Sequence, residues 1–135
     1  MPGETNLERL IASMAPGLSE IEYVFGLVAE ADYEQIARLQ PIGTFCEKEG
    51  VTVVLKKETA DACNIAYSGV FKCITLTVHS SLDAVGLTAA VATKLTASNI
   101  SANVIAAYYH DHVFIKSADA DKALLALNEL VKNGL

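Results

Sequence analysis

The 135-residue sequence predicts an α+β protein in which one small unit occurs twice. Each unit is an antiparallel sheet with helices packed on one face, and its elements follow the order βαββαβ. Three observations carry this. Residues Val70 to Val131 read strand, helix, strand, strand, helix. The two halves of the chain match at an offset of 60 residues, with Val53-Val54-Leu55-Lys56 falling on Val113-Phe114-Ile115-Lys116 and Ala60-Asp61 on Ala120-Asp121. Finally, 52% of the residues are hydrophobic, enough to build a core in each half.

In chain order, Leu7, Leu10, Ile11 and Met14 mark a short amphipathic helix that Pro16-Gly17 is expected to end. Glu20 to Ala29 alternates, with Ile21, Tyr23, Phe25 and Leu27 on one face, and reads as a strand. Tyr33 to Leu39 is a short helix stopped before Pro41. Gly43–Lys48 and Val51–Lys57 are two strands meeting at a Glu49-Gly50 turn, and Thr59–Asn64 gives one or two helical turns.

The second half is the clearer copy. Val70 to His79 is a strand, and Leu87, Ala90, Val91, Lys94 and Leu95 recur on one helical face. Asn99 suits the left-handed backbone that stops that helix. Two β-branched and aromatic runs follow, through Ile115. Asp119 to Val131 is the last helix, with Ala123, Leu124, Leu127, Leu130 and Val131 on its apolar side. No strand follows it, so this unit lacks its fourth. Glu20–Ala29 is the spare strand long enough to fill that place. The halves, 1–67 as a degenerate N-terminal unit and 68–135 as the C-terminal one, are therefore expected to interlock into one compact body.

Composition narrows function. Net charge is −6, with 11 acids and 5 bases in residues 1–67 and 5 of each in 68–135, which argues against nucleic acid or an anionic membrane as partner. No apolar run reaches the roughly 18 residues of a membrane span, and the N-terminus has no secretory pattern. Cys46, Cys63 and Cys73 have no paired spacing. They read as reduced core thiols of a cytoplasmic protein.

Residues 70–132 resemble an ACT domain, the ferredoxin-like βαββαβ module of amino-acid-regulated enzymes, and the whole chain is similar to small stand-alone proteins of two tandem ACT-like units. The resemblance rests on Asp83-Ala84-Val85-Gly86-Leu87 at the turn into a helix, Asn99-Ile100-Ser101-Ala102-Asn103 into a strand, and His110-Asp111-His112-Val113. It implies a ligand site made by the turn of one unit and the second strand of a neighbour. The site residues it implies are Asp83, Val85, Gly86, Leu87, Thr88, Asn103, Val104, Ile105 and Asp111. There a ligand carboxylate would meet backbone N–H groups at Gly86, Leu87 and Thr88, and Asp83 would take the ammonium group. Structural alternatives stand beside these roles: Asp83 as helix N-cap, Gly86 for tight packing, Asp111 as a turn residue. The first half lacks a comparable Asp-x-x-Gly turn, which weighs against a second site.

His110 and His112 face the same way on a strand, with His79 a third candidate, yet no Cys or carboxylate has the spacing to complete a metal site. Ser80-Ser81 beside His79 lacks an orienting acid, and there is no phosphate loop. No catalytic residue, metal or cofactor is assigned. The expectation is a non-catalytic, amino-acid-binding regulatory module that works as a homodimer or docks on a partner protein. The alternative is an interaction module of the same fold that has lost its ligand.

Overall fold

A computed structural model describes residues 6–30, 32–78 and 85–135. Five α-helices and six strands follow one another: α1 Leu7–Ser13, β1 Pro16–Val28, α2 Tyr33–Leu39, β2 Gly43–Glu47, β3 Gly50–Lys56, α3 Lys57–Ala62, β4 Phe71–Leu76, α4 Leu87–Ala97, β5 Asn103–Ala106, β6 Asp111–Lys116 and α5 Ala120–Asn133. The strands hydrogen-bond in the order β2-β3-β1-β4-β6-β5. Packing divides the chain into two compact units, Met1–Glu20 with Lys72–Leu135, and Ile21–Phe71. These cuts differ from a boundary at residue 67 because β1 begins in one unit and ends in the other.

In the first of these units the place of the fourth strand is filled by the start of β1, which begins four residues before the expected Glu20. Thr77 N–H donates to the Ala15 carbonyl at 3.2 Å, and Lys72 Nζ meets Glu20 Oε2 at 3.1 Å. The residue sums of these two pairs agree, as they must in an antiparallel ladder. Pro16-Gly17 therefore opens a strand rather than closing a helix. A proline at the first strand position forfeits no ladder bond. Leu10, Ile11 and Met14 of the α1 segment, Ile74 and Leu76 of β4, Val91 and Leu95 of α4, Val113 and Ile115 of β6 and Leu127 and Leu130 of α5 form one core, with Leu18 of β1 packed against it. Lys94 leaves the apolar stripe of α4 at its tip, pairing with Glu129 at 3.1 Å.

The second unit packs α2 and α3 on β3 and the end of β1. Its core is Val24, Val28, Leu39, Val51, Val53, Leu55 and Ala60. The inward side chains of β1 here are thus the even-numbered ones. The odd-numbered stripe read from the sequence lies on the other face, with Ile21 and Leu27 exposed. The β2–β3 turn is Lys48-Glu49, one residue earlier than Glu49-Gly50, because Gly50 already pairs with Glu47. The repeat extends to register: Gly43 lies opposite Val54, and adding 60 to both numbers gives the pair Asn103 and Phe114 of the other hairpin.

Gly50 is held at φ +143°, and a Cβ there would stand 2.5 Å from the Val28 carbonyl oxygen. Both the backbone angle and the closeness of β1 exclude a side chain. Gly50→Ala is expected to destabilise the protein by about 2–4 kcal/mol, read as a lowered urea midpoint at unchanged slope. A midpoint within error of the wild type would contradict this packing.

Candidate functional site

The turn into α4 is set by Gly86, which is the N-cap residue with φ +102° and ψ −13°. The N-cap role considered for Asp83 therefore belongs to Gly86, and Asp83 itself lies outside the described residues, as does His79. Gly86 C=O accepts from Ala90 N–H at 2.8 Å, closing the first helical turn. Gly86 has no side chain with which to cap the helix, and the first turn contains no acidic residue. In this α4 stands alone among the α-helices of the described residues: α1, α2, α3 and α5 carry Glu8, Glu34, Glu58 and Asp121 in theirs. The N-terminal N–H groups of α4 and the positive end of its dipole have no negative partner from the first turn.

The equivalent helix of the other unit already carries negative charge at its start. Asp32 caps α2, its carboxylate accepting from Gln35 N–H at 3.1 Å, and Glu34 follows in the first turn. The two copies share a fold position and differ in the charge chemistry at it.

The other residues implied by the resemblance fall in three places. Val85 is exposed and Thr88 is exposed, whereas Leu87 is buried in the core and offers only its backbone to the turn. Asn103, Val104 and Ile105 lie on β5. Val104 packs against the core, while Asn103 and Ile105 point to the sheet face away from the helices, opposite Phe114 and His112. Asn103 Nδ2 donates to the Phe114 carbonyl at 3.2 Å, so its amide already serves the sheet. Asp111 is the first residue of β6, paired with Ala106, and is not a turn residue. Burial pushes its carboxyl above the usual carboxylate range, with the neighbouring His112 pulling the other way. The structure therefore groups Gly86, Leu87 and Thr88, and does not bring the Asn103 side chain to them within the unit.

The expectation of three core thiols holds for one cysteine. Cys46 and Cys63 are exposed, the first on β2 and the second as C-cap of α3; only Cys73 is a buried thiol. His112 lies on an interior strand of the sheet. β6 lies between β4 and β5, and His112 Nδ1 shares a hydrogen bond of 2.9 Å with Thr75 Oγ1. Among the described residues no group of three or more His, Cys, Asp or Glu is placed to hold a metal ion, and no helix is long and apolar enough to cross a membrane.

One participant at the turn gave no signal in the sequence. Leu7, the first residue of α1, lies against Gly86: a Cβ built on that glycine would meet Leu7 Cδ2 at 3.0 Å. The two residues are far apart in the chain, and nothing in the pattern of either segment announces the contact.

Burial lowers the affinity of the His112 imidazole for a proton, and the charge of nearby His110 adds to this, with Asp111 opposing. A histidine held below its unfolded value of 6.5 binds fewer protons folded than unfolded. Its stabilising contribution is full above about pH 6.5 and is lost as pH falls toward the folded value. Asp111, raised by burial, acts in the opposite sense: its contribution is full below about pH 3.8 and is lost as pH rises toward its folded value. Lowering pH from 7.5 to 5.5 should therefore lower the melting temperature, and His112→Asn, which keeps a partner for Thr75, should flatten that slope. Equal slopes in the two proteins would contradict the assignment to His112.

Comparison with known proteins bears on the fold. Residues 2–72 match an ACT domain family profile, and residues 70–129 match a second ACT domain profile. A Vibrio cholerae protein of unknown function, described as a possible transport protein, has 51% sequence identity and a TM-score of 0.84 over 93% of this chain and 95% of that one. The ligand-free regulatory subunit of aspartate kinase from Thermus thermophilus has 11% identity and a TM-score of 0.60 over 87% of this chain and 97% of that one. E. coli aspartokinase III in complex with aspartate and ADP has 10% identity and a TM-score of 0.67, covering 88% of this chain and 33% of that one. Comparison with functionally curated proteins gave no match. The chain belongs to the ACT domain family and consists of two ACT domains in tandem.

Proposed function

We propose that this protein is a regulatory module that binds a free amino acid at the turn into α4 and acts by dimerising or by docking on a partner protein. The observation that carries the reading is the N-terminus of α4. It is opened by a glycine in the left-handed region, which brings no side chain of its own to the helix end, and is the one α-helix start among the described residues without an acid in its first turn. A carboxylate is the group such an end accepts best, through N–H groups and dipole together. Membership of the ACT family supports the amino-acid class, and the regulatory subunit of aspartate kinase with the same fold supports the regulatory role. Asp83 is proposed for the ligand ammonium group. Asn103, Val104, Ile105 and Asp111 are proposed as the wall offered by a neighbouring unit, in which β5 is an edge strand free to meet another surface. The capped and acidic start of α2 supports one site per chain rather than two.

A second reading is favoured by the Leu7 contact. If Gly86 exists to receive Leu7, the protein is an interaction module of the same fold without a ligand.

The two readings separate in a thermal-shift screen of the twenty amino acids. A ligand at 100 times its dissociation constant adds about 2.7 kcal/mol to stability, which is on the order of 8 °C for a chain of this size. Thr88→Glu supplies the missing acid in the first turn of α4. It is expected to stabilise the unliganded protein by about 0.3–1 kcal/mol and to weaken amino-acid binding more than tenfold, since the new carboxylate competes for the same N–H groups. Undiminished binding by Thr88→Glu would place the site elsewhere, and flat melting temperatures across the whole screen would leave only the interaction module.

A further inference from the structure

In the second unit, Ile21–Phe71, α2 and α3 cover one face of the sheet. Val51, Val53 and Leu55 of β3 point to those helices, so Thr52, Val54 and Lys56 point the other way. The register carries Phe45 of β2 and Leu27 of β1 to the same side as Thr52. Phe45 is 71% exposed, Leu27 48% and Ile21, farther along β1, 42%. Single exposed apolar side chains are ordinary on a protein surface. Several on one face of three strands, around a Val54 that is itself buried, make a patch of the kind that meets another protein.

Along the strands this face is four rows deep. Glu47 begins it, beside Gly50. Phe45 and Leu27 flank Thr52 in the second row, and Gly43 and Phe25 flank Val54 in the third. Lys56 closes it, beside Tyr23. Glu47 and Lys56 are the only charged side chains at these positions. They are opposite in sign, and neither has an ion-pair partner among the described residues. Thr52 Oγ1 donates to Glu47 Oε1, which keeps that carboxylate on this face. Next to Phe45, the most exposed of the aliphatic and aromatic residues on the face, Gly43 leaves a gap: a Cβ built there would meet only Val54 Cγ2, at 4.0 Å.

These features complement themselves. When a second copy is turned over about a two-fold axis lying in the interface across the strands, the first row faces the fourth and the second faces the third. Glu47 of one copy then meets Lys56 of the other, across a lateral offset of one strand, about 4.8 Å, that a lysine side chain spans. The Phe45 ring comes over the Gly43 gap, and Leu27 comes against Phe25. Each contact occurs twice. An apolar face alone would suit many partners, whereas opposite charges at its two ends and a ring and a gap in adjacent rows suit a copy of the same chain. We propose that this face is the interface of a homodimer, with Phe45 seated over Gly43 and Glu47 paired with Lys56 across the two-fold axis. It gives a surface to the dimerising half of the proposed function and uses no residue of the α4 turn.

Sedimentation equilibrium of the full chain, from micromolar to near-millimolar concentration, should show a reversible monomer–dimer equilibrium. Phe45→Ser removes the ring and Gly43→Leu fills the gap, and each should weaken the dimer about tenfold or more. Neither change strains the monomer, since Phe45 is exposed and the Gly43 backbone lies outside the left-handed region, so both variants should still melt cooperatively. Lys56→Glu and Glu47→Lys should each weaken the dimer by about tenfold, because each sets like charges against one another. The double variant Glu47→Lys with Lys56→Glu exchanges the two charges and should return to within about threefold of the wild type. A wild type that stays monomeric at every concentration would overturn the proposal and give the face to a different protein. A dimer indifferent to Phe45→Ser and Gly43→Leu, or a double variant as weak as either single one, would overturn it as well. The amino-acid reading is tested apart from this by the thermal-shift screen, and a monomeric wild type that binds an amino acid would leave that reading standing.

Discussion

The structure depends on β1, a single 13-residue strand that serves two cores. Its start lies beside β4 and contributes Leu18 to the core under α1, α4 and α5. From Tyr23 onward it pairs with β3 and contributes Val24 and Val28 to the core under α2 and α3. Side chains alternate along a strand, so one parity serves both ends: Leu18, Val24 and Val28 are all even-numbered. A slip of one residue would turn all three away from their cores together. The register of the whole strand is therefore fixed twice, by two separate sets of apolar neighbours.

Local signals in the sequence located most elements because each one is a local pattern. The stripe Leu87, Ala90, Val91 and Leu95 is buried as its spacing implies, and Asn99 does take the left-handed conformation, at φ +59°. The 60-residue repeat rests on few identities, yet it fixes equivalent pairs in two hairpins. What was illegible is what is decided at a distance. Pro16-Gly17 looks like a helix stop from its neighbours alone; that it opens a strand depends on β4, some 60 residues away. The inward face of β1 could not be chosen from its own residues, since Ile21, Tyr23, Phe25 and Leu27 make as good an apolar stripe as the even positions. Exposure of Cys46 and Cys63 likewise follows from an edge strand and a helix end, which local apolarity does not register.

At the site the sequence showed the glycine but not its company. Gly86 was legible as a residue that permits a close approach. The identity of what approaches, Leu7, required the fold. On the proposed reading, the contrast between α4 and α2 is the reason two copies of one domain need not carry two sites. In one the helix starts at a glycine and its first turn has no acid. In the other Asp32 and Glu34 already supply the negative charge that a ligand would bring. The difference amounts to a few side chains on a shared frame, and duplication of a fold does not by itself duplicate a function.

The most direct test of the shared strand is the behaviour of residues 72–135 without residues 1–20. That fragment lacks Leu10, Ile11, Met14 and Leu18 from its core and leaves β4 without its β1 partner. Three fully buried side chains alone are worth about 5–9 kcal/mol, comparable with the whole stability of a small domain. The account predicts a fragment with no cooperative thermal transition and a collapsed amide spectrum. A soluble fragment that melts cooperatively and gives dispersed amide resonances would contradict it.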